Sequence, residues 1–311
     1  MELIRTKIES IERIAKDINL YEFRLVEDGV LPDVEPGAHI GVHLPNGIVR
    51  HYSLLESGKN LQSYKVAVKR DKNSTGGSVY MHDKLKTGDI LLIEPPKNTF
   101  PLSLEARLSV FFAGGIGITP IYSMVKHLEK VDKQWRLFYA CKNKEEMAFY
   151  DELKNFKQVC FHFDDEAGAV FDIASAIEQI PLDAHLYCCG PTPMIEAFER
   201  LAYRFSPEQI HVEYFKPKTD STGKPFVVEL AKTGKSFTIE PGQTILRVLL
   251  ENGIDVSFSC EVGICGTCET EVLEGIPDHK DEVLSDEQKA SNKTMTICCS
   301  GSKTSRIVLN L

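Results

Sequence analysis

The chain lacks any run of roughly 18 apolar residues, and its first residues, Met-Glu-Leu-Ile-Arg-Thr-Lys, contain no apolar stretch. Neither a membrane-spanning helix nor a secretory leader is therefore expected. A surplus of basic charge is also missing: 36 Lys and Arg face 45 Asp and Glu, for a net charge of −9. That balance argues against nucleic acid or an anionic membrane as partner. No internal repeat or low-complexity tract occurs. Of the nine cysteines, the five other than Cys260, Cys265, Cys268 and Cys298 show no disulfide pattern, which suits a reducing compartment, so a cytoplasmic location is expected; a monomer is also expected. The dinucleotide fingerprint G-x-G-x-x-G is absent, as is any His/carboxylate constellation of the kind used for general acid–base work.

What is present begins with length. A chain of 311 residues, 42% hydrophobic and 26% charged, has room for two or three ordinary globular domains. Its most informative stretch is Ser259-Cys-Glu-Val-Gly-Ile-Cys-Gly-Thr-Cys-Glu269. Cys260, Cys265 and Cys268 form C-x4-C-x2-C, and Cys298 follows well downstream, which is the plant-type [2Fe–2S] spacing. Two irons need four thiolates, three from a wrapping loop and one from a distant segment. Gly263 and Gly266 leave room for backbone N–H groups near the sulfides. A zinc site usually shows two short Cys pairs, and only one is found here.

Residues 1–102 read as short strands separated by turns at Pro36-Gly37, Pro45-Asn46-Gly47 and Thr87-Gly88-Asp89, with helical character only near Val79–Leu85. A small antiparallel barrel is expected. In Arg50-His51-Tyr52-Ser53-Leu54, strand alternation puts Arg50, Tyr52 and Leu54 on one face and His51 and Ser53 on the other. Gly76-Gly77-Ser78 opens the short helix, where free N–H groups can receive a phosphate. Taken alone, the first stretch reads as a surface strand and the second as an ordinary loop.

Residues 103–215 change character. Leu108–Ala113 is a continuous apolar run, as in a buried parallel strand. Gly114-Gly115-Ile116-Gly117-Ile118-Thr119-Pro120 then turns into a helix. Strands at 135–141, 158–163 and 185–189 alternate with helical patterns at 145–154, 171–179 and 192–204, which predicts a doubly wound sheet. The Gly114–Gly117 segment can admit a dinucleotide or simply make a tight turn. Cys189-Gly190-Pro191 ends another strand at the same sheet edge. Asp164, Asp165 and Glu166 follow a strand end, where a carboxylate accepts a ribose 2′-hydroxyl and repels a 2′-phosphate. Lys142 and Lys144 pull the other way, and a solvated loop is the plain alternative.

A polar linker spans 216–225. Residues 226–311 then show a hairpin around Thr233-Gly234-Lys235 and a helix with Ile245, Val248 and Leu249 facing inward, ahead of the cysteine loop. Cys298 and Cys299 are adjacent, and on a strand neighbours point to opposite faces, so only one should reach an iron.

Arg-x-Tyr-Ser-Leu, Gly-Gly-Ser near Met-His, Gly-Gly-Ile-Gly-Ile-Thr-Pro and Cys-Cys-Gly-Pro, in that order, resemble the ferredoxin–NADP reductase superfamily. With the C-terminal cysteine motif, the full length resembles the phthalate dioxygenase reductase type, the group that includes vanillate demethylase and carnitine monooxygenase reductases. The resemblance implies a flavin-binding barrel, a nicotinamide-binding α/β domain and a β-grasp ferredoxin domain. It implies that Arg50 contacts the phosphate side of FMN, Tyr52 its ring and Ser53 its N5, with Leu54 completing the motif, and that Gly76, Gly77 and Ser78 hold the phosphate. It places Gly114, Gly115, Thr119, Gly190 and Pro191 around the nicotinamide, puts Cys189 near nicotinamide C4, and has Phe215 cover the flavin. It also favours NADH, with Asp165 as the discriminating carboxylate, and makes Cys298, one residue after apolar Ile297, the fourth ligand. His51 receives no role.

The cofactor order suggests a mechanism. NADH gives two electrons as a hydride, a [2Fe–2S] cluster takes one, and a flavin between them converts. The expected function is an NADH-dependent reductase feeding the Rieske centre of a separate oxygenase. The alternatives are a di-iron monooxygenase as partner, or a flavin-free ferredoxin-like carrier. Glu261, Glu269, Glu271, Asp281 and Glu282 are expected on an acidic face that steers the partner.

Overall fold

The computed structural model describes residues 3–71, 76–215, 223–258, 263, 266–281 and 283–311. The chain divides into two compact units, Met1–Glu213 and Tyr214–Leu311. Among the described residues, no helix is long and apolar enough to cross a membrane.

The first unit opens with strands β1 (Ile4–Ala15), β2 (Ile18–Leu25), β3 (His39–His43), β4 (Val49–Ser53) and β5 (Tyr64–Lys69), then helix α1 (Gly77–Lys84) and strand β6 (Ile90–Ile93). They form one six-stranded antiparallel sheet in the order β4-β3-β6-β1-β2-β5. A bridge between Leu54 and Val66 joins the two outer strands and closes the sheet into a barrel. Its core holds Ile8, Phe23, Ile40, Val42, Leu54, Val66 and Ile93, the apolar members of the alternating strands. The Glu94–Lys97 strap continues the β6 pairing alongside β3: Glu94 N–H donates to Gly41 O (2.7 Å) and Lys97 N–H to His39 O (2.9 Å).

The α/β part follows: β7 (Leu108–Gly114), α2 (Ile118–Lys130), β8 (Gln134–Cys141), α3 (Tyr150–Leu153), β9 (Val159–Phe163), α4 (Asp164–Ala167), α5 (Ile173–Glu178), β10 (His185–Cys189), α6 (Thr192–Leu201) and β11 (Ile210–Glu213). All five strands are parallel, in the order β11-β10-β7-β8-β9. The chain thus winds outward from β7 in one direction and then reverses to β10, the doubly wound arrangement. The helix expected over 145–154 is not continuous. Phe149 adopts a left-handed backbone (φ 58°), leaving a 3-10 turn at Lys144–Glu146 and the single turn of α3. The break lets Met147, Ala148 and Phe149 all enter the core, which a continuous helix face would not allow.

Barrel and sheet are not separate bodies. One core cluster joins Ile18, Leu55, Ala67 and Phe100 from residues 1–102 to Phe111, Ile118, Ile121 and Tyr187. Lys69 also pairs with Glu146 at 3.0 Å, and Ser103 N–H donates to the Tyr187 hydroxyl at 2.9 Å.

The second unit contains β12 (Phe226–Leu230), β13 (Ser236–Ile239), α7 (Ile245–Glu251), β14 (Glu269–Glu274), β15 (Pro277–Asp278), α8 (Asp286–Ser291), β16 (Thr294–Thr296), β17 (Gly301–Ser302) and β18 (Arg306–Leu309). Five strands make a mixed sheet, β13-β12-β18-β14-β16, with β12 parallel to β18, and β15 pairs separately with β17. The Thr244 side chain caps α7, which lays Ile245, Leu246, Val248 and Leu249 into the core of this unit. The proposed linker residues 216–222 lie outside the described residues.

Candidate flavin, nicotinamide and iron–sulfur sites

The two weak signals of the barrel meet in space. Gly76 is left-handed (φ 108°), which turns the chain into α1. At Gly77 a Cβ atom would fall 2.6 Å from Arg50 Cγ and 2.8 Å from its Nε, so the Arg50 stem lies across the helix start. Only glycine permits that approach. The arrangement puts a guanidinium beside backbone N–H groups at a helix N-terminus, a phosphate-binding combination. The Ser78 hydroxyl accepts the Asp71 N–H at 3.1 Å.

On β4, Tyr52 is opposite Ile40 and Ser53 opposite His39. The Tyr52 hydroxyl is buried with no hydrogen-bond partner among the described residues, and burial pushes its phenol well above the usual range. A buried donor of this kind is costly unless something satisfies it, and a polar, phosphate-bearing ligand along β4 would do so. The residues present therefore fit a flavin nucleotide. Ser53 is buried, while the Leu54 side chain packs in the barrel core.

Sequence reasoning gave His51 no role and overlooked Glu94. The Glu94 carboxyl sits over Gly41, with His51 Nε2 at 3.8 Å and Lys97 Nζ at 2.9 Å. His51 and then Lys97 hold it down at about 2. At 3.8 Å the His51 contact is electrostatic rather than a hydrogen bond. The strap thereby braces the β3–β4 pair that carries Ser53. No spacing signal announces this, since Glu94 is distant in sequence from both strands.

In the α/β sheet, the reversal of strand order lies between β7 and β10, where the carboxyl ends of such strands form a ligand crevice. Both glycine-bearing turns converge there. A Cβ at Gly117 would stand 2.2 Å from Cys189 O and 2.8 Å from Gly190 N. A Cβ at Gly114 would stand 2.5 Å from Pro191 Cδ and 3.2 Å from Gly190 Cα. The floor of the crevice is thus backbone against backbone, and the start of α6 after Pro191 lies beside the start of α2. Gly115 (φ 54°) has open space around it. Thr119 is buried and donates its hydroxyl to Ile116 O at 3.1 Å, closing the turn. These residues fit a dinucleotide.

Cys189 is fully buried at the end of β10. Burial, then the neighbouring Glu213 carboxylate, pushes its thiol far up, so it stays neutral. Asp165 is exposed in α4 beyond the edge strand β9, and its N–H donates to Lys142 O (3.1 Å) at the end of β8. The carboxylate loop therefore leans on the strand next to β7. Phe215 falls in the second unit and is exposed.

In the second unit, Cys260 and Cys265 lie outside the described residues. Cys268 and Cys298 are buried, 3% and 1% exposed, and their segments are joined where Ile297 N–H donates to Cys268 O at 3.4 Å. Cys298 and Cys299 are not on a strand: β16 ends at Thr296 and the cysteines occupy the turn that follows. The alternation argument therefore does not apply to them. Cys299 Sγ lies 3.2 Å from Thr296 Oγ1 and 3.9 Å from Ser300 Oγ, within a protein network. Gly263 and Gly266 are both left-handed (φ 82° and 75°). Buried thiols gathered beside a glycine-rich loop fit a cluster. Asp281, expected on an acidic outer face, is instead buried, because the turn after β15 folds its carboxylate inward.

Three family descriptions match this chain in sequence: an oxidoreductase FAD-binding domain over residues 5–101, an oxidoreductase NAD-binding domain over 111–200, and a 2Fe-2S iron-sulfur cluster binding domain over 228–302. Tetrachlorobenzoquinone reductase of Sphingobium chlorophenolicum is 47% identical, over 98% of this chain and 97% of that protein. Phenoxybenzoate dioxygenase subunit beta of Ectopseudomonas oleovorans is 42% identical, over 100% of this chain and 98% of its own. Among solved structures, phthalate dioxygenase reductase, described as a modular structure for electron transfer from pyridine nucleotides to [2Fe–2S], superposes with a TM-score of 0.75 at 36% identity, covering 99% and 98% of the two chains. The chain belongs to the phthalate dioxygenase reductase-type family and is an NADH-dependent flavin and iron–sulfur oxidoreductase.

Proposed function

We propose that this protein is the reductase component of a multicomponent oxygenase, passing electrons from NADH through FMN and a [2Fe–2S] cluster to a Rieske centre. The observation that carries the reading is the shared core of barrel and sheet. It fixes the β4–α1 flavin cradle and the β7/β10 crevice in one compact unit, while a cluster domain occupies the same chain. The bound cofactors supply conversion of a two-electron donor into one-electron transfers. Arg50 and the N–H groups of Gly77 and Ser78 hold a phosphate, and Tyr52 offers its phenol along β4. The backbone of Gly114, Gly117 and Gly190 keeps the crevice shallow enough for a flat ring. Cys189 remains a neutral thiol and so adds no charge where positive charge changes during transfer. Asp165 beside the β8 end favours NADH over NADPH. Cys260, Cys265, Cys268 and Cys298 are the ligands. Phe215 is the aromatic that covers the flavin. A reducing cytoplasm belongs to this reading, because the sequence places four cysteines in a cluster motif and the remainder in no disulfide pattern.

The flavin should be FMN, because one phosphate saturates the Arg50–Gly77 cradle. Heat release followed by chromatography reads this directly, and recovery of FAD would overturn it.

Plant-type clusters lie near about −400 mV and Rieske centres at roughly −150 mV or above. At 59 mV per decade that is about four decades in the equilibrium constant, so transfer outward is strongly downhill. Contact with the partner need only be brief, and the exposed Glu269 and Glu271 suit a basic docking patch. Stopped-flow transfer should slow as ionic strength rises. A rate indifferent to salt removes the steering, and reduction of a di-iron hydroxylase in place of any Rieske protein removes the partner. The relative named for tetrachlorobenzoquinone favours a second reading, with a quinone as acceptor. Quinone reduction that survives loss of the cluster would support it.

A further inference from the structure

Asp281 is out of place as an acidic residue. Its side chain is 0% exposed, a costly position for a carboxylate unless it is well compensated. The compensation is partial. Leu284 N–H donates to Oδ2 at 2.9 Å, and the Ser300 hydroxyl donates to Oδ1 at a long 3.4 Å. Lys289 Nζ is 3.9 Å from Oδ2, beyond hydrogen-bond reach, and spends a shorter bond (2.6 Å) on the Asp281 carbonyl. His279 Nδ1 is 3.5 Å from Oδ1, and neither of its buried ring nitrogens has a hydrogen-bond partner among the described residues. A charge held this loosely contributes little to stability.

Its location gives it another use. The β15–β17 pair brings residues 277–278 alongside 301–302, so Asp281 emerges next to the Cys298–Ser300 turn. From its carboxylate a chain of contacts runs through Ser300 Oγ to Thr296 Oγ1 (3.2 Å) and on to Cys299 Sγ (3.2 Å). On its other side is Gly263. A Cβ at Gly263 would stand 3.1 Å from Asp281 Cα and 2.6 Å from Cys299 Sγ. Asp281 therefore sits between Gly263 and the Cys298–Ser300 turn, with Lys289 of α8 as the nearest lysine.

We infer that Asp281 is a positioning residue of the iron–sulfur site: it packs between Gly263 and the Cys298–Ser300 turn, and its buried charge holds the cluster's reduction potential down, with Lys289 as a partial counter-charge. The inference rests on the ligand set proposed above. Reduction adds negative charge to a cluster, and nearby net charge is one of the terms that set its potential. Removing the carboxylate should raise the potential, and removing the ammonium should lower it.

The test is an EPR-monitored redox titration of the full-length holoprotein. Asp281→Asn keeps an oxygen acceptor for Leu284 N–H and should retain iron and sulfide. Its one-electron equilibrium should shift about tenfold toward the reduced cluster, which is 59 mV upward. Lys289→Gln should shift it in the opposite direction. Shifts of opposite sign support the inference, because a packing defect has no reason to follow charge. Unchanged potentials in both variants, or shifts of the same sign, overturn it. Should Asp281→Asn fail to hold iron, Lys289→Gln decides alone: a lowered potential supports the inference and an unchanged one overturns it. Failure of the ligand set is separately visible as iron retained in Cys298→Ser.

Discussion

Iron and acid-labile sulfide should fall to background in Cys298→Ser, while Cys299→Ser should keep both. The two residues are neighbours in one turn, so the difference arises from what each thiol is doing. The Cys298 segment is tied to that of Cys268 through the Ile297–Cys268 backbone bond, placing two buried thiols at one corner of the sheet. The Cys299 sulfur lies against Thr296, and a serine hydroxyl can take over that contact. Its loss is the loss of one weak hydrogen bond, about 1 kcal/mol or less. A serine at position 298 offers a poor ligand to iron, and a cluster held by three thiolates is not expected to survive purification. NADH-driven bleaching of the flavin should persist in Cys298→Ser, because the cradle and the crevice belong to the other unit. Electron delivery to one-electron acceptors should drop to that of the flavin alone. Iron analysis with an absorption spectrum checks both variants, and an iron-free Cys299→Ser protein would move the assignment by one residue.

Gly117→Ala should cost about two orders of magnitude in the rate of flavin reduction by NADH, while leaving the flavin and iron–sulfur absorption in place. The added methyl group would lie 2.2 Å from the Cys189 carbonyl oxygen and 2.5 Å from its carbon. Both are backbone atoms of a central strand, so neither can rotate away as a side chain could. The turn after β7 and the Cys189-Gly190 turn must separate, and the crevice floor opens. Overpacking of this sort typically costs about 1–3 kcal/mol of stability, which a unit with so large a core tolerates. Displacement of a reacting ring by about 1 Å, however, can remove about a hundredfold of rate. Gly115→Ala is the control, since a Cβ there meets nothing within 4 Å; its φ of 54° adds modest backbone strain but no collision. Single-turnover kinetics should show a large loss for Gly117→Ala and a small one for Gly115→Ala. Equal effects would mean that the crevice floor does not set the rate.

The fold class was legible because it rests on local patterns. Apolar runs with glycine turns mark parallel strands, and alternation with frequent turns marks the barrel. The cysteine spacing was legible for a chemical reason: a cluster fixes how far apart its ligands stand along a loop. Other features had no local signature. Residues 145–154 carry helical periodicity, yet the left-handed Phe149 breaks the helix because burying three successive apolar residues wins over propensity. Asp281 lies in Asp278-His-Lys-Asp281, which reads as a solvated charged stretch, and only the β15–β17 pairing turns its carboxylate inward. His51 and Glu94 likewise meet only because the strap runs antiparallel beside β3.

By itself the sequence determined the kinds of site: which residues can ligate iron, which turns can receive a phosphate, and where strands must be parallel. The tertiary structure alone decided which of these meet. Strand order set β7 beside β10 and so brought Gly114 and Gly117 against Cys189 and Gly190. Barrel closure laid Arg50 over Gly77, and a shared core bound cradle and crevice into one unit. The reason is physical. Spacing within a segment is fixed by bond geometry and by the ligand it wraps, whereas contact between distant segments depends on register and packing, which no single stretch encodes.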